Sequence, residues 1–248
     1  MEATMIQGHA VLDFEDSLAD LIELFEGWSP TAYFNAGDVP TIGYGVTFVY
    51  KVSDTDYDAR LVAELNDWFS GIYTFTVAEQ ETLADIATEL NQGNQAAAMQ
   101  LFNGWGPATM LSLTEHQGET VLHRAVVDVT AGAIPADIAT GVGSLANTRE
   151  LTVLYSLAYN APELVGPNLE AAIRNDDRAS AWYEIRYQSN GGDPAFQDGI
   201  AKRRYAESQI FGLYDDEAKV TETDARETFR MFTAHEDIIR DYDAKYGA

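Results

Sequence analysis

The chain contains no cysteine, an absence that excludes disulfide frameworks, cysteine-based zinc sites and thiol nucleophiles alike. Cations are scarce too: 15 Lys and Arg, only four of them Lys, stand against 40 Asp and Glu, for a formal charge of −25 and a pI near 4.2. Tight binding to duplex phosphates depends on Lys and Arg releasing counterions, so nucleic acid is not an expected partner. Long apolar runs are missing, and none approaches the roughly eighteen residues of a membrane span. The stretch from Met1 to Asp16 lacks a basic segment followed by an apolar one, so no signal peptide is expected. No phosphate loop, dinucleotide fingerprint or Gly-x-Ser-x-Gly elbow occurs.

What is present is 248 residues, 46% hydrophobic and 11% aromatic, enough for one large domain or two small ones with a core that needs no metal or disulfide. The acids are scattered along the whole length, and the aromatic content argues against disorder. Three origins of the acidity stay open: solubility, salt adaptation of the host, or an electrostatic role.

Leu18, Leu21, Ile22 and Phe25 fall at i, i+3, i+4, i+7, which predicts a helix over Asp16 to Glu26 capped by Asp16 or Ser17 and stopping near Gly27. Pro30 breaks any continuation, and Ala32 to Phe48 reads as a hairpin or meander turning at Asn35-Ala36-Gly37-Asp38. Helices are expected at Val77 to Leu90, at Gln95 to Phe102, and from Thr114 as cap, with Gly104-Trp105-Gly106-Pro107 as a loop. Arg149 to Leu213 reads as several packed helices, broken at Ala161 to Pro167 and at Ser189 to Pro194. Thr221 to Tyr246 predicts a terminal helix folded back on the body through Phe229, Phe232, Ile238 and Ile239.

Glu26, Asn35, Asp38 and Thr41 form an acceptor-rich group where a helix end faces a hairpin. Glycoside hydrolysis needs a carboxylic acid to protonate the leaving oxygen and an opposing polar group to activate water. Taken singly, Glu26 also reads as a helix-end carboxylate and Asp38 as a turn residue. No metal or cofactor is expected. Asp54-x-Asp56-x-Asp58 fails as a calcium loop because Ala59 and Leu65 stand at its glycine and glutamate positions, and the four histidines include no His-Glu-x-x-His pair.

Glu26-Gly27, Ala32-Tyr33, Asn35 and above all Pro40-Thr41-Ile42-Gly43-Tyr44-Gly45 resemble the phage-type lysozymes, glycoside hydrolase family 24. Glu26, Asn35 and Thr41 fall without a gap on that family's Glu, Asp or Cys, and Thr positions. Farther on, Ser156-Leu157-Ala158-Tyr159-Asn160 is similar to a small-apolar, aromatic, Asn segment, and Arg203-Arg204-Tyr205-Ala206-Glu207 to an Arg-Arg-x-x-Glu segment. Leu113 to Val129 resembles the family's lobe-joining helix, and Ala179 to Tyr187 its penultimate core helix.

The resemblance implies a two-lobed α+β fold, mainly helical, with a small antiparallel sheet in the N-terminal lobe and a peptidoglycan groove. It divides the chain into a helix and hairpin lobe with the catalytic cleft at 12–48, an insertion at 49–112, a helical lobe at 113–214 and a C-terminal extension at 215–248. The implied reaction is a muramidase's, cutting the β-1,4 bond between N-acetylmuramic acid and N-acetylglucosamine without a cofactor. Glu26 would be the general acid, Thr41 would hold the water, and Tyr44, Asn160 and Arg204 would face the substrate. Arg203 and Arg204 equally read as partners of an acid on a neighbouring helix. An endolysin released from the host cytoplasm to the wall, or a virion-borne enzyme, is the implied setting.

The pattern departs where the base belongs. Asn35 is a neutral amide, and Asp38 lies three residues later, where the family has Gly. Val46 and Pro162 replace the usual His and Gly, and residues 49–112 have no counterpart, leaving wall, cleft-capping and virion or delivery-apparatus contacts open for them. Three outcomes follow: an enzyme using Asp38 or another acid, a slow one using Asn35 and Thr41, or a peptidoglycan-binding relic.

Overall fold

The computed structural model describes residues 5–35, 39–53, 56–130, 132–190 and 197–246. The expected turn at 36–38, with Asp38, and most of the turn at 191–194 lie outside the described residues. Two compact units emerge, Ile22–Asp128 and the combination of Met1–Leu21 with Val129–Ala248. The fold is mainly helical α+β, with a small antiparallel sheet of three strands in its N-terminal part. Among the described residues no helix is long and apolar enough to cross a membrane.

The first helix, α1, spans Phe14–Glu23 rather than Asp16 to Glu26. Asp13 is its cap, since the Asp13 carboxyl accepts from the Asp16 N–H at 3.3 Å, and Leu18 and Ile22 bury the apolar face fully. The helix ends early because the Phe25 and Glu26 N–H groups both donate to the Ile22 carbonyl, closing the last turn. Glu26 therefore stands just beyond the helix.

Three short strands follow: β1 (Ser29–Phe34), β2 (Pro40–Gly43) and β3 (Val46–Thr47), in the order β1-β2-β3. Tyr33 pairs with Thr41, and Thr41 with Thr47, so these three side chains share one face. The β2–β3 connection runs through Gly43 (φ +65°) and Gly45 (φ +87°), left-handed conformations that disfavour any side chain. The outer edge of β1 is closed by a bridge from Thr31 to Ser112 and by the Leu113 N–H donating to the Pro30 carbonyl at 2.8 Å.

Within residues 49–112 a second hairpin, β4 (Val49–Lys51) with β5 (Tyr57–Ala59), precedes helices α2 (Val62–Trp68), α3 (Val77–Asn91), α4 (Gln95–Gly104) and α5 (Gly106–Met110). Thr76 caps α3 through a reciprocal box with Glu79. The loop expected at Gly104 to Pro107 narrows to a break at Trp105, because Pro107 suits the first turn of a new helix. Phe48, Phe69, Phe75 and Trp105 fill the core of this unit. Helix α6 (Glu115–Val129) starts at Thr114, whose hydroxyl accepts from the Gln117 N–H.

In the other unit, a short helix α7 (Ala136–Ala139) leads to the buried α8 (Arg149–Asn160), capped by Thr148. Helix α11 (Gln197–Phe211) packs against it, and α9 (Pro167–Arg174) packs against α10 (Arg178–Tyr183), which continues as a π-helical turn over Glu184–Gln188. The C-terminal segment is two helices, α12 (Glu222–Ala234) and α13 (Glu236–Tyr246), rather than one. They part at His235, whose ring stacks on Tyr183 at 3.9 Å. Asp243 accepts hydrogen bonds from Tyr187 and Tyr205, and the Tyr242 hydroxyl donates to Asn190 at 2.6 Å, so α13 is held by polar contacts more than by Ile238, which is exposed.

Candidate active site

Glu26 is half-buried, and its carboxyl lies against the β2–β3 connection: a β-carbon built on Gly45 would stand 3.1 Å from Glu26 Oε2. The absence of a side chain at residue 45 thus makes room for this carboxyl. Tyr33 senses the same group. Burial pushes the Tyr33 phenol up from its ordinary value, and the negative charge of Glu26 adds to the shift. Two stretches of the lysozyme-like pattern, Glu26-Gly27 and Thr41-Ile42-Gly43-Tyr44-Gly45, therefore meet in space. Gly45→Ala is expected to lower stability by about 1–2 kcal/mol through its left-handed backbone and to displace Glu26, with chemical denaturation and turnover as the two measurements.

Thr41 is 1% exposed, and its hydroxyl donates to the Val39 carbonyl at 3.1 Å. Asn35 accepts from the Val39 N–H through Oδ1 at 3.2 Å, while its own N–H donates to the Val39 carbonyl at 3.0 Å. Both residues thus bind the backbone of the strand into which the turn leads. They hold the shape of the hairpin, and a carboxylate at residue 35 would occupy the same acceptor position with a charge added.

Tyr44 sits in the interior at 6% exposure. Its hydroxyl donates to Glu115 Oε1 at 3.3 Å, and burial, reinforced by the charges of Glu23 and Glu115, pushes its phenol up to about 12. Trp28 lies beside it, with ring centroids 4.9 Å apart. The ring of Tyr44, implied as a substrate contact, packs against Trp28 with its hydroxyl on Glu115.

Asn160 ends α8 exposed, and its Oδ1 accepts from Arg204 Nη2 at 3.5 Å. Arg204 itself is 0% exposed and so cannot face a substrate directly; it donates to the Ser189 carbonyl at 3.1 Å and to Glu207 Oε1 at 3.0 Å. Arg203 donates to Glu207 Oε1 and to the Ser156 carbonyl, and the Ser156 hydroxyl donates to Glu207 at 2.6 Å. The acid between the two arginines therefore comes from their own helix, and the neighbouring α8 supplies Ser156. Burial dominates at Arg204 and lowers its guanidinium to about 10, with Glu207 opposing and Arg203 reinforcing the change.

The sequence does not mark Gly45 or Tyr33 as neighbours of the Glu26 carboxyl, nor Gly118 on α6 as a contact. An isolated glycine inside a helical pattern is the signal that could have found Gly118, since such a residue usually makes room for something. Two open cavities of about 430 and 390 Å³ lie elsewhere, around Tyr214, Asp215 and Asp216, and neither is lined by Glu26, Asn35, Thr41 or Asn160. Among the described residues no three His, Asp or Glu side chains are placed to hold a metal ion. No family model, no curated protein and no solved structure matches this chain.

Proposed function

We propose that this protein is a peptidoglycan hydrolase of the lysozyme type, acting on the β-1,4 bond between N-acetylmuramic acid and N-acetylglucosamine. The observation that carries the reading is the Glu26 carboxyl lying at Gly45, within the turn of the Thr-Ile-Gly-Tyr-Gly segment. In this reaction Glu26 gives its proton to the glycosidic oxygen as the bond from the muramic C1 breaks, and a water oxygen joins C1. The water's proton leaves to Asp38 or, if Thr41 and Asn35 only orient the water, to solvent. Asn160 is the polar group offered to an acetamido or hydroxyl of the glycan. Lysis of a bacterial host by an endolysin, or wall penetration by a virion, is the biological setting proposed.

A second reading, a binding module with little or no turnover, is favoured by one feature: Asn35 and Thr41 both spend hydrogen bonds on Val39. Release of soluble glycan from purified peptidoglycan separates the two. The hydrolase releases it; a chain that sediments with the wall and releases nothing is the binding module. Within the hydrolase reading, Asn35→Asp is expected to raise turnover by about tenfold or more, because a general base contributes factors of that order and above. If Asn35→Asp leaves turnover unchanged while Asp38→Asn abolishes it, the base is Asp38.

A further inference from the structure

Two residues after Glu26 the chain presents Trp28, and its indole occupies the space that a side chain at residue 118 would need. A β-carbon on Gly118 would lie 2.1 Å from the ring carbon Cζ3 and 2.6 Å from Cη2, closer than non-bonded carbon atoms approach. Gly118 stands inside the 15-residue helix α6, where a glycine costs roughly 0.5–1 kcal/mol relative to alanine. Here the vacancy is filled by Trp28. The same ring carbon lies 3.7 Å from the β-carbon position of Gly43, and the ring of Tyr44 is 4.9 Å away between centroids. The indole is thus clamped between α6 and the first half of the Gly43–Gly45 connection, while the last residue of that connection meets the Glu26 carboxyl.

We propose that Trp28, seated on Gly118, is a positioning residue that sets the Glu26 carboxyl against the Gly45 turn. Glu26 lies just past helix α1, tied to it by its N–H donating to the Ile22 carbonyl at 3.1 Å, and Ser29 pairs with Gly43, so the indole of Trp28 adds a side-chain grip between these two backbone anchors. Trp28 grips the helix and the turn at once, and moving the indole shifts Glu26 relative to Gly45. That this placement matters for chemistry rests on the assignment of Glu26 as the reacting acid. The placement itself has a readout that needs no turnover, because the Tyr33 phenol feels the Glu26 charge.

The test is tyrosine-ring NMR titration combined with kinetics on purified peptidoglycan. In the wild-type background, Glu26→Gln lowers the Tyr33 titration midpoint by removing a neighbouring anion, and the size of that drop reports how close the carboxyl sits. In Gly118→Ala, which expels the indole, the drop shrinks to less than half, and kcat falls about 10–100-fold with KM within twofold, the scale expected for a small misplacement of a reacting group. Trp28→Phe added to Gly118→Ala restores at least half of both losses by making the ring fit. Trp28→Ala alone gives the same shrinkage and replaces Gly118→Ala if that variant does not fold. An undiminished Tyr33–Glu26 coupling in either folded variant, with kcat retained and only the Tm lowered, overturns the proposal. A wild type with no turnover, whose coupling nevertheless falls in Gly118→Ala, removes the enzymatic reading and supports the positioning.

Discussion

Glu207→Gln is expected to destabilise the protein by about 3–5 kcal/mol, the scale found when one partner of a buried ion pair is removed and the other is left charged in the interior. Glu207 is 0% exposed and stands between Arg203, 4% exposed, and Arg204, 0% exposed. Arg204 Nε lies 2.7 Å from Glu207 Oε2, and Arg203 Nε lies 3.1 Å from Oε1. Glutamine preserves the volume and the acceptor for Ser156 but cancels the negative charge of Glu207 that lies against both guanidinium groups. Burial already works against the charge on Arg204, so losing Glu207 removes the opposing influence. The consequence reaches α8, because Arg203 and Ser156 join that helix to α11 through this carboxyl. The urea midpoint measures it, and a change under about 1 kcal/mol would mean that the arginines find other partners. The exposed pair of Arg226 with Glu222 is the contrasting case, where solvent screens the charges and little is lost.

Glu26→Gln is expected to lower turnover on peptidoglycan by about a hundred- to ten-thousand-fold, the contribution of general acid catalysis. Glutamine keeps the size that fits over Gly45 and cannot donate an acidic proton to a leaving oxygen. Binding to the wall is expected to persist, since the substituted atom differs by one heavy atom type and no other contact changes. A loss of binding equal to the loss of turnover would instead make Glu26 a ligand contact.

The parts of the fold read most directly from sequence are those governed by local chemistry. Thr114 as a helix cap, the break around Ala161 to Pro167, and the short strands around Thr41 follow from hydroxyl caps, proline and β-branched residues, whereas the first helix ends at Glu23, well before Pro30, which lies inside β1. The division of the C-terminal segment at His235 is different. No glycine or proline marks it, and it arises from a ring stacking on Tyr183, more than fifty residues away in sequence. Tyr44 and Arg204 have the residue types of a binding surface, yet their place in the interior depends on Glu115 in one case and Glu207 in the other. The approach of Glu26 to Gly45 was legible as a pattern but not as a contact. The fit of Trp28 onto Gly118 joins residues about ninety apart, and nothing in either local stretch specifies the other.

The acidity of the chain remains spread over its surface, with the few cations largely engaged. Arg174 pairs with Asp137 and Glu170, Arg178 with Glu150, and Lys219 with Asp216. Under the proposed reading an anionic wall polymer would meet a like-charged protein, so recognition would fall to hydrogen bonding and shape, with screening by salt easing the approach.

Hydrolysis driven by Glu26 at the muramic acid C1, as proposed, is tested most directly by the identity of the new chain ends. Purified peptidoglycan is digested by the wild type and by Glu26→Gln in ¹⁸O-labelled water, the products are reduced with borohydride, and the termini are identified by mass. The account predicts reduced muramic acid ends carrying one labelled oxygen from the wild type and none from Glu26→Gln. Reduced glucosamine ends, or muramic acid ends produced equally by Glu26→Gln, would contradict it.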